Sequence, residues 1–140
     1  MEAVIEVQDE SEARALLHRF SSFFDGVVVE LRVSLPRSTS DRVLELRLLA
    51  QEIGSSVSDD GWRSVTLRVE ELTSYLFSED RTSHLELSDG LGLHVLPGGA
   101  WLVDLAPYTE ADVPVADRLA NSAQFCVGRR LFAAVEPYRE

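Results

Sequence analysis

Between Gly26 and Leu49 the chain reads GVVVELRVSLPRSTSDRVLELRLL, two alternating runs joined by a polar loop from Pro36 to Asp41. In the first run Val27, Val29, Leu31, Val33 and Leu35 share one side of an extended backbone, and Val28, Glu30, Arg32 and Ser34 share the other. In the second, Leu44, Leu46, Leu48 and Ala50 alternate with Glu45 and Arg47. That period of two is what a half-buried strand requires. A hairpin must bring both apolar sides together, which restricts its register. Setting Val33 opposite Leu44, Leu31 opposite Leu46 and Val29 opposite Leu48 also sets Glu30 against Arg47 and Arg32 against Glu45. Opposite charges facing across strands contribute roughly 0.2–1 kcal/mol per pair, and a two-residue slip loses the match. An outer face laced with such charges reads first as a solvated face and second as a binding surface.

The remaining segments extend the same sheet. Ser64 to Glu70 alternates with Val65, Leu67 and Val69 inward, and the register that continues the charge ladder places Arg68 opposite Glu45. Glu71 to Ser78 lacks a clean period and reads as a turn of helix or an irregular crossing. In His84 to Leu96 the leucines share odd numbers, so parity favours a three-residue loop, Ser88 to Gly90, pairing Leu87 with Leu91 and Leu85 with Leu93. A second three-residue turn, Pro97 to Gly99, pairs Val95 with Trp101 and Leu93 with Val103. Phe125 to Val135 forms a last strand, bent at Gly128, and Ala3 to Val7 an edge strand suited to pairing with a second copy.

Two helices complete the reading. Asp9 or Ser11 caps the first, with Glu12 placed as in a capping box and Ala13, Leu16, Leu17 and Phe20 forming one apolar stripe. Phe20, Phe23 and Phe24 then plug it into the inner face of the sheet, while Arg14, His18 and Arg19 face away. A short helix from Asp112 to Ser122 buries Val115 and Leu119. The expected architecture is a single α+β domain over residues 1–140. It is a mostly antiparallel meander of six to eight strands with the amphipathic N-terminal helix packed on one face and the short helix near the C-terminus.

Composition narrows function mainly by exclusion. The chain has 24 acidic residues against 13 basic ones, a net charge of −11, and every basic residue is arginine. Such a charge repels a phosphate backbone, which argues against nucleic-acid binding and permits a basic protein partner. No apolar run approaches the roughly 18 residues that a membrane span needs. The single cysteine, Cys126, has no internal disulfide partner, which with the absence of an apolar leader points to a cytoplasmic protein. In 140 residues there is enough chain to close a core with no disulfide, metal or other cofactor.

One constellation on the outer face has chemical potential. The expected hairpins place His84 opposite His94, Glu86 two residues from His84, and Asp104 diagonally across from His94. Two imidazoles and two carboxylates gathered within about 8 Å fit a zinc or other divalent site, or an acid and base pair for hydrolysis. An ordinary polar strand face is the competing reading. The Gly90 and Gly92 pair and the Gly98 and Gly99 pair belong to hairpins and not to phosphate loops. Cys126 lies between Phe125 and Val127 as an inert buried thiol.

The run Phe23, Phe24, Asp25, Gly26, followed by long alternating strands, resembles the start of small bacterial immunity proteins of polymorphic toxin systems. In one such family a Phe-His-Asp leads into an antiparallel sheet, and here Phe24 stands at the histidine's place. The resemblance covers the first half of the chain. It implies an acidic, non-enzymatic protein that binds a toxin domain, through the charged sheet face or the acidic loop Ser55 to Asp60. The alternative from a different class is a metal- or small-ligand-binding domain centred on His84, Glu86, His94 and Asp104.

Overall fold

The computed structural model describes residues 4–54, 61–77, 86–87, 90–105 and 124–138. Eight strands are described: β1 (Ile5–Val7), β2 (Gly26–Ser34), β3 (Val43–Gln51), β4 (Trp62–Leu76), β5 (Glu86–Leu87), β6 (Gly92–Val95), β7 (Trp101–Asp104) and β8 (Phe125–Pro137), with one helix, α1 (Glu10–Arg19). All strand pairs are antiparallel, in the order β5-β2-β3-β4-β8-β7-β6, and β1 joins β8 beyond the end of β7.

The order has a geometric consequence. Seven strands laid flat would span about 29 Å at the usual strand spacing. Yet β5 and β6, at the two ends of that path, are separated by only five residue steps from Leu87 to Gly92, which reach at most about 18 Å. The sheet therefore curls until its ends approach, and the inner face becomes the wall of an open barrel. Leu44, Leu46, Leu48, Val65, Leu67, Val69, Leu93, Val103 and Leu131 fill it.

α1 packs one apolar stripe against the core that the sheet encloses. Asp9 caps it by accepting the Glu12 amide at 2.8 Å, and the Glu12 carboxylate accepts the Gln8 amide at 2.9 Å. Ala13 and Phe20 are buried, Leu16 and Leu17 pack on the core, and Glu10 reaches the Val95 amide on β6 at 3.4 Å. Phe20 stacks on Phe23 with ring centres 4.9 Å apart. Phe24, expected in the core, is instead exposed, because Ser21, Ser22 and Phe23 take left-handed backbone angles (φ 53°, 56° and 60°) that turn the next residue outward. Arg19, expected to face away, pairs with the half-buried Glu52, which Arg63 also holds at 3.1 Å.

The expected registers of the central strands are present. Val33 faces Leu44, Leu31 faces Leu46, Glu30 faces Arg47, Arg32 faces Glu45, and Glu45 faces Arg68. Val29 does not face Leu48. A bulge between Val28 and Glu30 puts Val28 there, buried at 8% exposure, and turns Val29 out at 43%. The Pro97 to Gly99 turn forms, with Val95 opposite Trp101 and Leu93 opposite Val103.

Two other expectations are corrected. Glu71 to Leu76 is not helix or an irregular crossing but the continuation of β4. Glu71 is left-handed (φ 52°), and a register shift follows between Leu72 and Ser74, so the inward set passes from Val65, Leu67 and Val69 to Leu72 and the period of two is broken. Opposite this kink lies Gly128, where a Cβ would come 2.4 Å from Val69 Cγ1 and 2.7 Å from the Glu70 carbonyl. The second correction is that β5 pairs with β2, Leu87 facing Gly26 and Glu86 facing Val27, in place of a hairpin with β6. The helix expected at Asp112 to Ser122 and the loop Ser55 to Asp60 lie outside the described residues. No helix among the described residues is long and apolar enough to cross a membrane.

Candidate binding face on the outer side of the sheet

The registers order the outer face into rows. One row runs Arg32, Glu45, Arg68, Phe132, Glu6 across β2, β3, β4, β8 and β1. Arg68 and Arg130 both stack on the Phe132 ring, 5.1 and 5.0 Å from its centre. Arg130 also makes two hydrogen bonds to Glu6, each 3.2 Å, and Arg68 pairs with Glu70 at 2.8 Å. The Arg130 hydrogen bonds hold the Glu6 carboxyl below its usual range, against a small opposing effect of burial, and Glu6 in turn raises Arg130. These charges are held in fixed pairs by the strands beneath them.

The next rows are less polar. Val27, Leu49, Ser64 and Glu136 lie in line, and Glu30, Arg47, Thr66 and Ala134 form the row beside them. Small side chains on the central strands and larger ones at the flanks leave a cleft of about 630 Å³. Val29 and Leu49 line it from β2 and β3, Pro137 and Tyr138 line it from the end of β8, and Ser64 lies between. Val27, Val29 and Tyr138 are each two-fifths exposed or a little more. Arg47 and Glu136 supply the cleft's charges. Arg47 is held by Glu30 at 3.3 Å, whereas no cation among the described residues pairs with Glu136. The apolar and aromatic side chains thus line a trough flanked by the Arg47–Glu30 pair on one side and by Glu136 on the other.

The bulge at Val29 is what hides this patch from a strict reading of alternation. The signal for it lies in the doublets: Val28 with Val29, and Leu48 with Leu49, put apolar side chains on both faces at the same level of one hairpin.

The proposed ligand set is brought together only in part. His84 lies outside the described residues. The β5 backbone at Glu86 pairs beside Val27 on β2, and the hairpin expected to set His84 opposite His94 is not present among the described residues. His94 and Asp104 do converge. Gly92 faces Asp104, His94 faces Leu102, and a Cβ on Gly92 would sit 2.9 Å from His94 Nε2 and 3.4 Å from Asp104 Cβ. Asp104 is fully buried. The two could supply two ligands or exchange a proton, but no group of three or more metal-ligating side chains occurs among the described residues. Cys126 is buried, and burial pushes its thiol up to about 12, so it carries no nucleophile at neutral pH. Comparison of the chain with protein-family models, with curated proteins and with solved structures gives no match.

Proposed function

We propose that the chain is a non-enzymatic binding module, immunity-like in kind, that docks a basic protein partner on the outer face of its sheet. The observation that supports this is the gathering of exposed apolar side chains, Val29 and Tyr138 in one cleft with Val27 in the neighbouring row, on a face that elsewhere carries ion pairs. Such a patch has a core that can be dried on contact and a rim that sets orientation. The net charge of −11 steers a cationic partner and repels nucleic acid. A lone, buried cysteine fits a reducing cytoplasm.

The test is a selection of peptides from a random library on the wild-type protein, followed by fluorescence anisotropy on Val29→Asp and Tyr138→Ala. Selected peptides should be basic and should lose tenfold or more in affinity on both variants. Peptides without basic enrichment, or with affinity unchanged by both substitutions, would remove the reading.

A second reading, a metal- or small-ligand-binding domain, is supported by the convergence of His94 and Asp104 at Gly92. Calorimetry with zinc on wild type and His94→Ala decides it: stoichiometric binding lost in the variant sustains it, and no heat of binding ends it.

A further inference from the structure

Resting on the binding face proposed above, we infer that the cleft is the anchor pocket for a single arginine side chain of the partner. The face itself shows how such a side chain is held. Arg130 stacks on an aromatic ring, Phe132, and forks its guanidinium onto a carboxylate, Glu6, which stands directly opposite that ring on the neighbouring strand. The end of β8 supplies the same two kinds of group, a carboxylate and an aromatic ring, along one strand instead of across two. Tyr138 and Glu136 lie two residues apart, both exposed, and both line the cleft. Among the described residues Arg47 lines the same cleft, but no cation pairs with Glu136.

Arginine suits this geometry better than lysine. Its planar group can stack on the Tyr138 ring and bond a carboxylate through two N–H groups at once, whereas an ammonium is a more strongly hydrated point charge. The stem of the side chain would cover Leu49 and Val29. Arg47 bonds Glu30 through one nitrogen and keeps further N–H donors for a backbone carbonyl of the incoming residue, which leaves that residue's guanidinium to Glu136.

The experiment is an amide NMR titration of the full chain with N-acetyl-arginine amide, beside its uncharged isostere N-acetyl-citrulline amide and N-acetyl-lysine amide. The arginine probe should give saturable shifts at Leu49, Ser64 and Glu136, the lysine probe should bind at least threefold more weakly, and citrulline should give none. Glu136→Gln should weaken the arginine probe at least fivefold with an unchanged unfolding midpoint. Shifts that do not saturate, that citrulline reproduces, or that survive Glu136→Gln would overturn the pocket. The two readings fail separately. Selected peptides that lose affinity on Val29→Asp but not on Glu136→Gln would keep the face and discard the arginine pocket, whereas peptides indifferent to both would discard both.

Discussion

The carbonyl of Ser22, a residue with a left-handed φ of 56°, accepts the amide of Leu91 at 2.8 Å, and three residues on, Asp25 donates its amide to Leu87 at 3.0 Å. One tight turn thus touches the chain on both sides of the link between β5 and β6, where the two ends of the sheet approach. Left-handed angles at four non-glycine residues, each costing roughly 1–3 kcal/mol, persist only because the surrounding structure over-determines them.

Gly90 is the sensitive point of that closure. Its φ is +80°, and a Cβ would stand 2.6 Å from the Ser22 carbonyl oxygen. Gly90→Ala is expected to lower stability by about 2–4 kcal/mol in urea denaturation. Gly98, with φ +100° and nothing within 4 Å, has only the backbone strain, so Gly98→Ala should cost about 1 kcal/mol.

The bulge in β2 separates two adjacent valines by consequence. Val28→Asp would bury a carboxylate against Leu48 and should cost about 3 kcal/mol or more. Val29→Asp places the same group in solvent and should stay within about 0.5 kcal/mol of wild type while losing partner affinity. Paired chemical denaturation curves check both. A larger loss for Val29→Asp than for Val28→Asp would mean that β2 alternates without a bulge.

Cys126 gives a pH dependence with a defined sign. Its folded thiol titrates near 12, above the ordinary value of 9.0, so the native state holds a proton that the unfolded chain releases. The contribution is complete below about pH 9 and is lost as pH rises toward 12. Cys126→Ala should flatten that alkaline loss in thermal melts. Iodoacetamide at pH 8 should label the wild type only after unfolding.

Glu6 has the opposite sign. Its lowered titration means that the Arg130 pair is fully formed above the usual carboxylate range and is lost as pH falls through the folded value. In Arg130→Gln the Glu6 carboxyl should return to the ordinary range, read by carbon-detected NMR titration, and the β1 amides should exchange faster.

Much of the sheet was legible because charge and apolar parity agree: Glu30, Arg32, Glu45, Arg47 and Arg68 admit one register, and that register is present. Alternation fails where the backbone leaves the extended region. The bulge at Val29, the left-handed Glu71 and the turn that expels Phe24 each shift parity by a local conformation that no residue type announces, since serine, phenylalanine and glutamate are not residues that favour positive φ. The pairing of β5 with β2 depends on the curl of the whole sheet, which no local pattern encodes. Of the candidate site, the charged rows were readable, and the cleft was not, because Val29 had been assigned to the wrong face.

The place of β8 bears on how the chain reaches this state. It is the last described strand in sequence, yet it lies between β4 and β7 and also carries β1, with Ile5 opposite Ala133. Until it arrives, β4 and β7 are both raw edges, β1 has no seat, and the two halves of the barrel share no hydrogen-bonded border. Acquisition of structure is therefore expected to be late, abrupt and comparatively slow, with loop closure across almost the whole chain preceding the reward, and a nascent or nicked chain lacking this one segment would expose two apolar strands to its neighbours.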